Sequence, residues 1–190
     1  MDPAIEPDTA ATTATIRVAD AHIALGARTG EAYEQLSGGL NGYLIRTVRD
    51  PEAAADLLAD AFTRLFVEEQ HGRWPDQPRA WLYRVATNLA MSRGRHLQVV
   101  ERTNRVLRGG YSEPRDSSPD VEVLRRERRG ELDQALDRLP LDARTALLLA
   151  AQGFDGRAIS QAIRRSEVAT RALLCRSRLR LRDLMREVEA

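Results

Sequence analysis

Within RAWLYRVATNLAMSRGRH, residues 79–96, Arg84, Asn88, Ser92 and Arg95 recur at the spacing that places them along one side of a helix. Guanidinium, amide and hydroxyl groups are the donors that meet phosphates and base edges. No acid interrupts these eighteen residues, so the face is not the usual Glu/Lys solvent face of an amphipathic helix. The other side carries Trp81, Leu82, Val85, Ala86, Leu89 and Ala90, an apolar stripe that faces a core. A second set of chemistry-bearing groups, Asp56 and Asp60, lies one helical turn apart. Paired carboxylates can do acid–base or metal work, but no His or third acid is placed to join them. His22, His71 and His96 are scattered along the chain. These residues make no nucleophile–base set and no metal-ligand spacing, so the expectation is a protein that is not an enzyme and uses neither cofactor nor metal.

The elements that must position these groups read as helical throughout. Asp50-Pro51 is a start signal, Asp as N-cap and Pro at the first helical position. EAAADLLADAFTRLF after it is Ala-rich, with Leu57, Leu58, Phe62, Leu65 and Phe66 at helical spacing. Glu31 to Val48 forms a helix through Tyr33, Leu36, Leu40 and Leu44, weakened by Gly38, Gly39 and Gly42. HGRWPDQP, residues 71–78, is a loop by its Gly and two Pro. Residues 98–120 mix Gly-Gly and Pro breaks with no apolar face and read as a linker. The first twenty residues lack an apolar period, with a helix expected only from about Ile16. No alternating strand pattern occurs, so the fold class is all-α, in two lobes.

With 190 residues, 43% of them hydrophobic, the chain can bury one core or two modest ones. One cysteine, Cys175, excludes an internal disulfide and is expected to pack. No apolar run reaches the roughly 20 residues of a membrane span, and the first thirty residues lack a signal pattern. The expectation is a cytoplasmic protein with no membrane insertion. All 29 basic residues are Arg. A compositional preference explains their number, so only their placement informs. Residues 1–60 hold ten acids against four Arg, whereas residues 129–190 hold twelve Arg against nine acids. The rear of the chain suits a polyanion.

That rear half gives the order short helix, turn, long helix. Asp142 is expected to cap ARTALLLAAQ, Asp155 to cap GRAISQAI, and Ser166 to cap the last helix from Glu167. This is the helix-turn-helix pattern. Its core is expected from Ala158, Ile159, Ala162 and Ile163 with Val168 and Leu173 or Leu174. Between residues 164 and 182 seven Arg stand against one acid, Glu167. Arg164 and Arg165 occupy the turn itself. They cannot be buried cheaply and should point outward beside the helix N-terminus, where backbone N–H groups also face phosphates.

The two halves together resemble the extracytoplasmic-function (ECF, group IV) sigma factors of the sigma-70 family. RDPEAAADLLADAFTRLF resembles the region 2 helix that binds the polymerase clamp. PRAWLYRVATNLAMSRGRH is similar to the segment that melts the minus-ten element. ELDQALDRLPLDARTALLLAAQGFDGRAISQAI and SEVATRALLCRSRLRLRDLM resemble region 4, its recognition helix included. The resemblance departs at Ala55, Asp56, Ala59 and Asp60, where the family has Glu-Asp-x-x-Gln-Glu. It departs again at Arg164 and Arg165, where the family has Gly and an apolar residue.

The resemblance implies an N-terminal extension over 1–30, a region 2 domain over 31–97, a linker over 98–128 and a region 4 domain over 129–190. It implies a promoter-specificity subunit with core RNA polymerase and promoter DNA as partners, and it allows an anti-sigma factor. Asp56, Leu57, Asp60 and Phe62 would bind core polymerase. Trp74, Tyr83, Arg84, Asn88, Ser92 and Arg95 would meet the minus-ten element, whose separated bases need a stacking surface. Arg164, Arg165, Ser166, Arg171 and Arg176 would meet the minus-thirty-five element. The alternative is a stand-alone helix-turn-helix regulator whose first lobe binds a ligand or dimerises.

Overall fold

The computed structural model describes residues 26–103 and 130–189, with side chains described over 26–95 and 130–187. Every regular element among the described residues is a helix: α1 Ala27–Val48, α2 Pro51–Gln70, α3 Pro78–Thr103, α4 over 130–137, α5 Leu141–Ala151, α6 Gly156–Ile163 and α7 Glu167–Glu189. The expected helix near Ile16 and most of the expected linker lie outside the described residues. At its near end the linker begins later than expected, because α3 continues to Thr103.

Asp50 caps α2 as its sequence signal demands, accepting hydrogen bonds from the N–H of Glu52 and Ala53 at 3.1 Å. α1 starts at Ala27, four residues earlier than its apolar pattern suggests. Its N-cap position, Gly26, has no side chain to offer. The cap comes from the far end of α2. The Glu69 carboxylate accepts from the N–H of Arg28 at 3.1 Å and from the N–H and hydroxyl of Thr29 at 2.9 and 2.5 Å. A side chain at Gly26 would put its Cβ 2.5 Å from Glu69 Oε2, so glycine is needed for this approach.

The three long helices bury one apolar face each. Leu40, Tyr43 and Leu44 of α1 meet Leu57, Ala61, Phe62 and Leu65 of α2, and Leu82, Tyr83, Ala86 and Ala90 of α3. The Tyr43 hydroxyl is fully enclosed and satisfied by Thr87 Oγ1 at 2.7 Å, which removes most of the cost of burying it. Burial pushes its phenol pKa strongly upward.

In the second lobe α5, α6 and α7 pack around Leu149, Ile159, Ala162, Ile163, Leu173 and Leu174. Asp155 and Ser166 cap α6 and α7 as expected, accepting from Ala158 N and Ala169 N. Asp142 does not cap α5. Pro140 occupies that position without a side-chain hydrogen bond, and Asp142 lies in the first turn. Val168 is not core: it is 78% exposed on the outer side of α7. Cys175 is exposed as well.

The lobes pack against each other, α6 and α5 lying on α3 and α5 on α1. Tyr83 is the hub. Its ring lies 5.2 Å from Tyr43 within the first lobe and 5.0 Å from Phe154 of the second. Its hydroxyl donates to Gln152 Oε1 at 3.1 Å. Arg79 donates to the Gln152 carbonyl at 2.7 Å and stacks over Phe154 at 4.6 Å. At the far edge Arg49 pairs with Asp137 and with Asp133, and Gly94 leaves room for Leu141.

Arg164 ends α6 in the left-handed conformation, φ 55°, with its own N–H and that of Arg165 directed to the Ser160 carbonyl. This is a Schellman-type close that favours glycine. Arg there costs about 1 kcal/mol of backbone strain, so Arg164→Gly is expected to raise stability by about 0.5–1 kcal/mol in thermal or urea unfolding.

Candidate nucleic-acid and polymerase interface

α3 carries two distinct faces, one polar and one turned to the core. Arg84, Ser92 and Arg95 are exposed and Asn88 is half-buried on one side. They lie along one ridge, as their spacing requires. Asn88 Nδ2 donates to the Arg84 carbonyl at 2.9 Å. Tyr83 was expected to join this ridge at the minus-ten element as an aromatic contributor. It lies instead roughly 130° around the helix, at ~100° per residue, and is buried between the lobes. Its ring fills the space that Gly39 opens on α1, where an added Cβ would come within 3.3 Å of the hydroxyl. Trp81 is half-buried against the core, as its stripe position implies.

The loop between α2 and α3 supplies Trp74, half-buried with one face covered by the Arg28 guanidinium at 4.3 Å. A cation over indole is a good electrostatic fit. Arg28 was not singled out from the sequence, because forty-six residues separate it from Trp74. Only the Glu69 cap, which fixes the start of α1 beside the loop, brings the two together. Arg73 holds the same loop to α2, donating to Glu68 at 2.8 Å. The hydrogen bond from Arg73 lowers the Glu68 pKa.

On α2, Asp56 and Asp60 are exposed, flanked by Ala55 and Ala59. Leu57 and Phe62 lie inside the lobe, Phe62 edge-on to Tyr33 at 4.9 Å. The outward strip of α2 is therefore two carboxylates on a floor of small residues. Leu57 and Phe62 shape it from beneath.

In the second lobe Arg164, Arg165, Ser166, Arg171 and Arg176 are all exposed. Arg165 is not free: its guanidinium pairs with Asp142. Asp142, read as a cap, instead ties the turn to α5. No ion pair holds Arg164, Arg171 or Arg176 among the described residues.

The profile of sigma-70 region 2 matches residues 32–98, running from within α1 through α2 and the loop into α3. The first lobe is therefore similar to sigma-70 region 2. The RNA polymerase sigma-H factor of Pseudomonas aeruginosa is 30% identical over 122 residues, 60% of this chain and 62% of that protein. The chain thus aligns with less than two thirds of that relative's length. The sigma factor RpoE in complex with the anti-sigma factor NepR, from Bartonella quintana, has a like fold, with TM-score 0.64 and 19% identity over 82% of this chain and 95% of that one. That coverage exceeds either lobe alone, so the likeness of fold includes both.

The Glu69 carboxylate is subject to desolvation, which raises its pKa, but the hydrogen bonds from Thr29 and Arg28 outweigh this and the net shift is downward. A depressed carboxylate contributes stability above its unfolded pKa of ~4.3 and loses it as pH falls through the lower folded value. Glu69→Gln is expected to cost about 0.5–1 kcal/mol at neutral pH, as other N-cap losses do. The difference should vanish below that folded pKa, and urea titrations across pH measure it.

At the turn, replacing Arg164 by Ala should reduce the salt slope of duplex binding by about one unit. Replacing Arg165 should reduce it less, since Asp142 already neutralises it. Fluorescence anisotropy of the full chain across a salt series reads both. An unchanged slope for Arg164→Ala would turn this face away from DNA.

Proposed function

We propose that this chain is an ECF-type sigma factor, a subunit that gives core RNA polymerase its promoter specificity and has no catalytic activity of its own. The observation that carries the reading is α3: one ridge of Arg84, Asn88, Ser92 and Arg95 stands free of acids inside a matched region 2. Such a ridge can follow the phosphates of one strand and accept unstacked bases. The half-covered Trp74 beside it offers a ring for one base, a contact worth ~1–3 kcal/mol.

The second lobe is read as region 4, holding the minus-thirty-five element with α7 in the major groove. Arg164 would position the helix on phosphates, and Arg171 and Arg176 would approach base edges on later turns. Ser166 contributes mainly as the N-cap. Core polymerase would dock on the acidic strip of α2.

No helix among the described residues is long and apolar enough to cross a membrane, and the place of action that follows from the reading is the cytoplasm. The solved relative is held by an anti-sigma factor, which makes a protein inhibitor a partner to seek for this chain. A stand-alone helix-turn-helix regulator needs only the second lobe and leaves the acidic strip and the α3 ridge without work.

Core binding tests the reading. The double change Asp56→Arg, Asp60→Arg is expected to weaken binding to core polymerase by a few kcal/mol through like-charge contacts. Helix content and unfolding should be retained, because both side chains lie outside the core. Unchanged retention of core by the folded variant would remove α2 from the polymerase interface.

A further inference from the structure

We propose that Arg28 belongs to the nucleic-acid site, its guanidinium over Trp74 being the platform on which one unstacked base of single-stranded DNA stacks. The inference rests on the promoter-binding reading above and adds a residue from outside the matched region, which begins only at residue 32. The guanidinium carbon of Arg28 lies 4.3 Å from the centre of the Trp74 ring. Trp74 is half-buried and packs against the core of the first lobe, whereas Arg28 is exposed. The outer layer of this stack is therefore a guanidinium. A base arriving from solvent on that side meets the cation before it meets the indole. Guanidinium planes stack on bases as aromatic rings do, and a cation between two π-faces is attracted by both.

The guanidinium is positioned without being used up. No ion pair holds it among the described residues. Glu69 attracts it at longer range, but that carboxylate is engaged by the N–H of Arg28 and by the N–H and hydroxyl of Thr29. These bonds fix the Arg28 backbone where its side chain reaches the loop, so less freedom is lost when a base binds. They also occupy the N–H groups of Arg28 and Thr29, which leaves the side chain as what Arg28 offers DNA. The other stacked cation among the described residues, Arg79, is taken up by Tyr83 and Phe154. Every base has a π-face. The Arg28 contact therefore adds affinity for unpaired DNA without choosing a sequence, while Arg84 and Asn88 are left to address base edges.

The test compares two fluorescent strands of equal length, one of dT and one abasic, binding to the full chain in anisotropy titrations. The unmodified chain is expected to favour the dT strand about tenfold. Arg28→Ala should reduce that preference to about twofold or less, with unfolding unchanged because the side chain is exposed. Arg28→Lys keeps the charge and loses the plane. It should restore binding of the abasic strand but not the preference.

A purely structural or purely electrostatic Arg28 would shift both strands alike. A preference that Arg28→Ala leaves intact or raises, or that Arg28→Lys restores in full, therefore overturns the proposal. Equal binding of the two strands by the unmodified chain, or binding of neither, overturns it as well. Run-off transcription by the unmodified chain with core polymerase separates the two levels. Transcripts alongside any of those results remove Arg28 alone, and their absence removes the sigma-factor reading.

Discussion

The structure depends on where one ring goes. Tyr83 points away from the polar ridge of its own helix and enters the space between α1 and the loop joining α5 to α6, bounded by Tyr43 on one side and Phe154 on the other. Aromatic pairs of this geometry contribute ~0.5–1.5 kcal/mol beyond area burial. The placement fixes the rotation of α3. With Tyr83 inward and Leu82, Ala86 and Ala90 against the core, Arg84, Asn88, Ser92 and Arg95 have no direction left but outward. The hydrophobic packing of α3 is thus what presents its polar ridge.

The same economy holds at the entrance to the loop. Glu69 closes α2, caps α1 and sets Arg28 above Trp74. One carboxylate thereby couples the start of the first helix to the loop that precedes the ridge. In the second lobe Asp142 has a comparable double use, in the first turn of α5 and as partner of Arg165. Both contacts join residues far apart in the chain.

Much of this was legible from residue types. The Asp50-Pro51 start, the Asp155 and Ser166 caps, the all-helical class and the α3 ridge follow from local chemistry that the tertiary fold has no reason to override. The misreadings share a cause. Tyr83 was expected as an aromatic contributor beside the ridge because a ring suits a base, but side-chain direction is decided by the neighbouring helices. Val168 fits a core pattern by hydropathy alone, yet its turn of α7 faces outward. Leu57 and Phe62, expected at the polymerase-binding helix, lie inside the lobe. Arg28, Glu69 and Gln152 could not be found, since each acts through a partner forty or more residues away.

Run-off transcription with purified core polymerase on a pool of genomic promoter fragments tests the central claim most directly. The account requires discrete transcripts that appear only when this chain is added, from fragments sharing two short elements at a fixed separation. Sequence-specific retention of duplex DNA by the chain alone, with no transcript from core polymerase on any fragment, would contradict it.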